Sequence, residues 1–266
     1  MLSIILFSAV VGFFLYDPKA LPGLWHARIL TVLVKHLVWR RNSAITETPS
    51  PSTIFRPLRT CSYCSLNEID FNLHKSNSTF YADLDISRIE LLVVLFKDAI
   101  TPLAPRANLA PENAYSRRNR RRPLLFLLGG VACIFKREIK PYQRYEVVSR
   151  VLTWDEKWVY IVSYFVKPGG RQPAEITEDS ILASALSKYV FKQGRQTRDP
   201  AGVLRELGLA GDPDAAAGDR LPLPCQDLLD QGAGAAAAWT WAHVEAERQR
   251  GLAIAQHMAG LDGLMG

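Results

Sequence analysis

Three residues of chemically useful types, Asp70, His74 and Asn77, stand in the spacing D-x3-H-x2-N directly ahead of a stretch with helical periodicity. A carboxylate and an imidazole four positions apart are the groups that commonly move protons in acid–base work. The first N–H groups of a helix attract negative charge and can hold an anion. The surrounding stretch is NEIDFNLHKSNSTFYADLDISR, Asn67–Arg88, with Tyr81 and Arg88 inside the helical part. The residues alone leave a second reading open. Asp and Asn ahead of helices are often caps or turn formers, and a histidine there can be a satisfied buried group.

The neighbouring elements must hold that run in place. Leu58–Ile69 reads as a strand. The helix is expected to begin near Ser78, with Asn77 or Ser78 as its cap and Asp83 and Asp85 near its positive end. Tyr81, Leu84, Leu91 and Leu95 recur along it at helical spacing. Thr101–Pro123 breaks the pattern with prolines and the arginine-rich run Arg117–Arg122. Strand-like stretches follow at Leu124–Ile139, Tyr145–Leu152, Trp158–Val166 and Leu182–Phe191. One strand, one long helix and then several antiparallel strands read as an α+β domain whose sheet wraps that helix.

The chain has 266 residues, 48% of them apolar and 22% charged, with a formal net charge of +6. Those values exclude a chain disordered throughout, and the absence of a repeat excludes collagen-like and coiled-coil classes. Leu2–Tyr16 is an apolar run without a charge, ended sharply by Asp17, Pro18 and Lys19. Leu24–Val38 follows with Trp25, Ile29, Val32 and Leu33 on one helical face, and Arg28, Lys35, Arg40 and Arg41 on or just after it. This pattern predicts a membrane helix followed by an amphipathic segment at a lipid surface. Because the cations follow the apolar run, the body is expected on the cytosolic side of an intracellular membrane, the endoplasmic reticulum. A secretory-pathway lumen is the alternative.

Residues 1–41 are thus read as anchor and amphipathic segment, 42–57 as a Ser/Thr/Pro-rich linker, 58–198 as the α+β domain and 199–266 as an Ala-rich helical extension. Within the extension, Trp239–Leu261 is a helix with Trp241, Val244, Leu252, Ala255 and Met258 on one side.

Asp70, His74 and Asn77 resemble the D-x3-H-x-N-N-x2-Y signature of hotdog-fold thioesterases of the 4-hydroxybenzoyl-CoA thioesterase type. The chain is similar in particular to the thioesterase superfamily member six proteins and their fungal relatives. Phe135–Pro141 (FKREIKP), Val151–Trp158 (VLTWDEKW) and Lys188–Phe191 (KYVF) support the resemblance, which covers about residues 58–198. It departs from the signature at Ser76, where Asn is common.

The resemblance implies a hotdog fold, a homodimer with the site between subunits, an acyl-CoA substrate and no cofactor. Asp70 then matches the catalytic carboxylate that activates water or attacks the thioester carbonyl. His74 and Asn77 orient the reacting groups, and the N–H groups around Asn77, Ser78 and Thr79 receive the oxyanion. Tyr81 and Arg88 complete the substrate site. In some relatives the essential carboxylate lies in the helix instead, which makes Asp83, Asp85 and Glu90 alternatives here. The rival function is an acyl-CoA or lipid-binding protein that does not cleave its ligand.

Other signals are weaker. Cys61 and Cys64 form a C-x2-C without a second pair at metal-ligand spacing, so buried reduced thiols and no metal are expected. Asn77-Ser78-Thr79 is a glycosylation sequon, used only if the body is lumenal. The Arg117–Arg122 run lacks an aromatic platform or a nucleic-acid module, and no nucleic-acid partner is expected. No G-x-S-x-G elbow, phosphate loop or H-E-x2-H is present.

Overall fold

The computed structural model describes residues 2–39, 51–100, 122–169, 176–210 and 241–259. The N-terminal part holds α1 (Leu2–Tyr16), a 3-10 turn (Pro18–Ala20), α2 (Leu24–Leu33) and a π-helical turn (Val34–Trp39). The body follows as β1 (Leu58–Tyr63), α3 (Phe80–Ile100), β2 (Leu124–Phe135), β3 (Arg144–Trp154), β4 (Trp158–Val166), β5 (Ile181–Gln193) and β6 (Gln196–Arg198). Two helices, α4 (Pro200–Glu206) and α5 (Trp241–Ala259), complete the described chain.

The strands form one antiparallel sheet in the order β1-β3-β4-β5-β2, with β6 paired to β5. This is the expected α+β hotdog arrangement: the inner face of the sheet closes around α3. Leu91, Leu92 and Phe96 of α3 pack with Val151, Trp154, Ile161 and Phe191 of the sheet in one buried cluster. Phe80 and Leu84 pack with Tyr145, Val147 and Phe165 in a second. Ile54 and Phe55, at the end of the Ser/Thr/Pro-rich stretch, belong to the first of these clusters and are buried. Polar residues line the helix–sheet contact at one level. Ser87 meets Ser149 at 2.8 Å, Ser149 meets Ser163 at 2.7 Å, and Arg88 donates to Ser187 Oγ at 2.6 Å. Small hydroxyls there let the helix approach the strands while every buried oxygen keeps a partner.

The outer face of the sheet carries Leu152, Tyr160 and Val162, which pack with Ala255 of α5. The predicted apolar side of this helix is the side it buries, through Val244, Ala255 and Met258. Its seat is close. A Cβ on Gly251 would lie 2.5 Å from the Leu152 carbonyl oxygen and 2.8 Å from Thr153 Cβ. Thr153 Oγ1 donates to the Arg248 carbonyl at 2.7 Å, and Arg248 Nη1 donates to the Trp154 carbonyl at 3.1 Å.

Two expectations change. β1 stops at Tyr63 rather than running to Ile69, because Ser65 and Glu68 form a reciprocal capping box around the 3-10 turn Leu66–Glu68. The N-terminal membrane helix is not supported as a span: no helix among the described residues is long and apolar enough to cross a membrane. At 1.5 Å per residue the 15 residues of α1 reach about 22 Å, short of the roughly 30 Å hydrocarbon core. The Arg117–Arg121 part of the arginine run, the Ala-rich stretch before α5 and Cys225 lie outside the described residues.

Gly251→Ala tests the seat of α5. Helix propensity alone would favour alanine by about 1 kcal/mol. The clash with the Leu152 carbonyl should reverse that sign, with a net loss of about 1–3 kcal/mol. Denaturant unfolding measures the loss, and amide exchange should rise across residues 241–259.

Candidate active site

After the capping box the chain makes a tight loop whose two feet, Ile69 and Lys75, pair as an antiparallel bridge. The Asp70 N–H donates to the His74 carbonyl at 3.0 Å, and the Leu73 N–H to the Asp70 carbonyl at 3.0 Å. Asp70 Oδ1 also accepts from the Asn72 N–H at 2.9 Å, an Asx turn of the kind Asp favours. Leu73 adopts φ 59°, a left-handed conformation that is uncommon for a residue with a Cβ and is held here by the loop.

The loop presents two of the expected residues side by side. Asp70 Oδ1 lies 3.6 Å from His74 Nδ1, an ion-pair distance when the imidazole is protonated, and the two side chains are 23% and 27% exposed. A 3-10 turn at Asn77–Thr79 follows and leads into α3 at Phe80. Ser76, rather than Asn77 or Ser78, occupies the cap position, and it makes no side-chain cap. The Thr79 N–H is taken by the Ser76 carbonyl at 3.0 Å, and the Thr79 hydroxyl donates to the same oxygen at 2.7 Å. That spends Thr79 as an oxyanion donor. The N–H groups of Asn77 and Ser78, with exposed side chains, open the helix and have no acceptor one turn earlier.

Two further expectations take a different form. Tyr81 is half-buried and packs against the second core cluster. Arg88 is 1% exposed and lies roughly 12 Å along the helix axis from Phe80. Its guanidinium holds Ser187 Oγ and, at 2.5 Å, Asp85 Oδ1. It therefore braces the helix against β5 instead of facing a bulky substrate.

The helix carboxylates separate by environment. Asp83 is buried and meets five groups through Oδ2 and Oδ1: Lys19 Nζ and Lys75 Nζ, each at 3.1 Å, Arg28 Nη1 and Ser62 Oγ, each at 2.9 Å, and Tyr145 Oη at 2.5 Å. Burial alone would raise its pKa. The attraction of Lys19 and Lys75, the Tyr145 hydrogen bond and Arg28 outweigh that and hold it well below the usual carboxylate range. Burial and the neighbouring Asp83 raise the Tyr145 hydroxyl far above its ordinary value, so it stays a donor. Glu90 is also lowered, because Lys35 (2.8 Å) and His36 (2.9 Å) outweigh the cost of its burial. A carboxylate clamped in this way is a poor proton acceptor. Asp83 and Glu90 are thus held in ion pairs, while Asp70 and the Arg88-paired Asp85 keep solvent access.

The sequence reading missed the groups beneath the loop. Lys19 Nζ reaches Glu68 Oε2 at 2.9 Å, the Tyr63 carbonyl at 2.8 Å and Ser62 Oγ at 3.0 Å. Lys75 Nζ shares the same Glu68 oxygen at 3.0 Å. Asp17, fully buried, accepts from Ser65 Oγ (2.7 Å), the Leu66 N–H (2.8 Å) and Tyr63 Oη (2.9 Å). Of the two thiols expected to be buried, Cys64 is buried and Cys61 is exposed, because they sit on opposite sides of the chain at the end of β1. Cys64 beside this cluster has its thiol pushed up to about 11 by burial, and Cys133 likewise. Among the described residues no group of His, Cys, Asp or Glu could hold a metal ion. The available signal for Asp17 and Lys19 was the abrupt D-P-K after an uncharged apolar run.

Comparison with known proteins places the chain in a class. Residues 64–206, more than half of it, match the family model of the thioesterase-like superfamily, and the chain belongs to that superfamily of thioester hydrolases. The probable thioesterase atnL of Emericella nidulans is 41% identical over 97% of this chain and 86% of its own length. Thioesterase poxG of Penicillium oxalicum is 38% identical over 94% of this chain and 82% of its own. A probable thioesterase of Saccharomyces cerevisiae is 32% identical over 74% and 78%.

Asp83→Asn leaves Lys19 and Lys75 buried without their shared carboxylate and should cost about 3–5 kcal/mol. The sign with pH follows from a lowered folded pKa. The Asp83 contribution is complete above the unfolded carboxylate value, about 4, and is lost as pH falls toward the folded value. Urea unfolding of the wild type should therefore weaken below about pH 4, and this acid-side loss should shrink in the variant.

Proposed function

We propose that this chain hydrolyses acyl-CoA thioesters at the Asp70 loop. The observation that carries the reading is the division of carboxylates: Asp83 and Glu90 are locked in ion pairs, whereas Asp70 stands accessible beside His74. Asp70 takes a proton from water as the water oxygen attacks the thioester carbonyl, or attacks that carbon itself to form an anhydride that water then opens. The C–S bond breaks, the thiolate leaves and is protonated, and the acyl group departs as a carboxylic acid. The Asn77 and Ser78 N–H groups stabilise the oxyanion of the tetrahedral species. His74 holds the Asp70 carboxylate and the approaching carbonyl in register.

The homodimer is part of the same reading. β2 is an edge strand with unpaired backbone groups, and Leu125, Leu127, Leu128 and Ile134 on it are exposed. A second copy added at this edge would pair the strands and cover those leucines. The N-terminal segment suits a lipid surface. α1 has no charge and exposes Ile5, Phe7, Val11, Phe13, Leu15 and Tyr16, and Trp25 and Trp39 after it are exposed as well. The cations after α1 suit the anionic cytosolic leaflet, with the endoplasmic reticulum as the membrane.

The test is thiol release by the full chain in mild detergent, from CoA esters running from short to long acyl and including aromatic acyl groups. Asp70→Asn should lower kcat by about 10²–10⁴, the range for loss of a positioned base. Asp85→Asn should change it by less than about fivefold, since Arg88 remains braced by Ser187. Full activity in Asp70→Asn would refute the assignment. Binding of long acyl-CoA without thiol release would replace hydrolysis by ligand binding.

Expressed in a eukaryotic cell, the chain should sediment with membranes, remain open to protease from the cytosolic side and carry no glycan at Asn77. Light scattering of the detergent-solubilised protein should give twice the chain mass. A glycan at Asn77 would place the body in the lumen.

A further inference from the structure

The Asp70 loop is joined to the N-terminal segment through Glu68 and Asp83, which Lys19 and Lys75 share. We propose that Lys19, seated by Asp17, is a positioning residue for the hydrolytic loop, so that the N-terminal segment is a working part of the site as well as a tether. The proposal deepens the Asp70 reading and rests on it.

Three observations carry it. Lys19 Nζ and Lys75 Nζ grip the same Glu68 oxygen at 2.9 and 3.0 Å, and the same Asp83 oxygen at 3.1 Å. Glu68 lies two residues before Asp70, and Lys75 directly follows His74. The Glu68 carbonyl also receives the Ser76 N–H at 2.7 Å, and the Lys75 N–H is held by the Ile139 carbonyl at 2.8 Å. Both ends of the loop are thereby tied to the point where Lys19 enters.

Charge counting gives the second observation. Asp17, Glu68 and Asp83 are three carboxylates buried around this point, and Lys75, Arg28 and Lys19 are the three cations set among them. Lys19 completes that balance, and without it buried carboxylates are left short of a partner, which is costly. Burial lowers its pKa, while Asp83 and Glu68 pull the other way. Packing alone would be met by an apolar side chain. What the ammonium adds is direction: it gathers Ser62 Oγ, the Tyr63 carbonyl, Glu68 and Asp83 around one point, joining the end of β1, the loop and α3.

The third observation is how Lys19 is itself fixed. The Asp17 N–H donates to the Phe13 carbonyl at 2.8 Å, so Asp17 continues from α1. Its carboxylate takes three donors from residues 63–66, and the Lys19 N–H donates to Tyr63 Oη at 3.1 Å. The D-P-K segment therefore enters the body in one register only. A side chain that sets the loop sets the distance from Asp70 to the Asn77 and Ser78 N–H groups, and displacement of about 1 Å at a reacting centre can cost on the order of 10²-fold in rate.

The experiment is a kinetic double-mutant cycle in the full chain, with the best substrate of the CoA-ester panel. Lys19→Met should lower kcat about 10- to 100-fold and leave KM within about threefold, because the substrate contacts remain. In the Asp70→Asn background, Lys19→Met should lower the residual rate by less than about twofold, since the loop has nothing left to position. A loss of equal size in both backgrounds marks a structural effect and overturns the proposal, as does a Lys19→Met protein with wild-type kcat. If Lys19→Met fails to fold, Asp17→Asn takes its place in the same cycle, read by the same criteria. It loosens the seat without removing a charge from the Glu68–Asp83 cluster. Full activity of Asp70→Asn alone is a different failure: it removes the Asp70 reading on which the proposal rests.

Discussion

Everything near the candidate site depends on one buried ion cluster, in which Lys19 and Lys75 share Glu68 and Asp83 and Arg28 closes the other side of Asp83. Burying the four charges of Lys19, Lys75, Glu68 and Asp83 is expensive, and each is tolerable only while its partners are present. The cluster therefore acts as a register pin. It brings together the segment after α1, the end of β1, the loop, the first turns of α3 and, through Tyr145, β3. No other arrangement of those five elements pairs the same charges, so the loop that carries Asp70 has one place to be.

The same helix shows how environment assigns roles to identical side chains. Asp83 faces cations and is locked as an anion, Glu90 is held by Lys35 and His36, and Asp85 braces Arg88 against Ser187 of β5. Asp70, one loop away, has only a backbone N–H and a histidine beside it and remains open to solvent. Carboxylates that differ in solvation and partners differ in chemistry. Asp83 and Glu90 thus stabilise the scaffold through their ion pairs, and Asp70 is left accessible on its loop. The outer face of the sheet plays no part in this division, since α5 covers it through a contact close enough to require glycine at position 251.

Much of the architecture was legible from local pattern. The alternation in β3, the aromatic and β-branched run of β4 and the helical spacing of Leu84 and Leu91 depend only on neighbours in sequence, and these elements form where the pattern puts them. The apolar side of α5 was legible for the same reason. Boundaries were less so. β1 ends early because Ser65 and Glu68 cap each other, and that choice is reinforced by Asp17, 48 residues away from Ser65 in the chain. The cap of the central helix shifted to Ser76, where the loop geometry and not the residue type decides.

The sequence by itself determined that Asp70 and His74 would lie together, because the D-x3-H spacing closes within one short turn. It also determined that a helix start with open N–H groups would follow. Only the tertiary structure decided which carboxylates are locked in buried ion pairs. The reason is that charge pairing in a folded interior is a matter of distance in space: Lys19 and Asp83 are 64 positions apart in the chain, and their ammonium and carboxylate meet at 3.1 Å. No pattern of spacing in the chain encodes that meeting, and it is the meeting that brings Lys19, just after the apolar run, beneath the candidate loop.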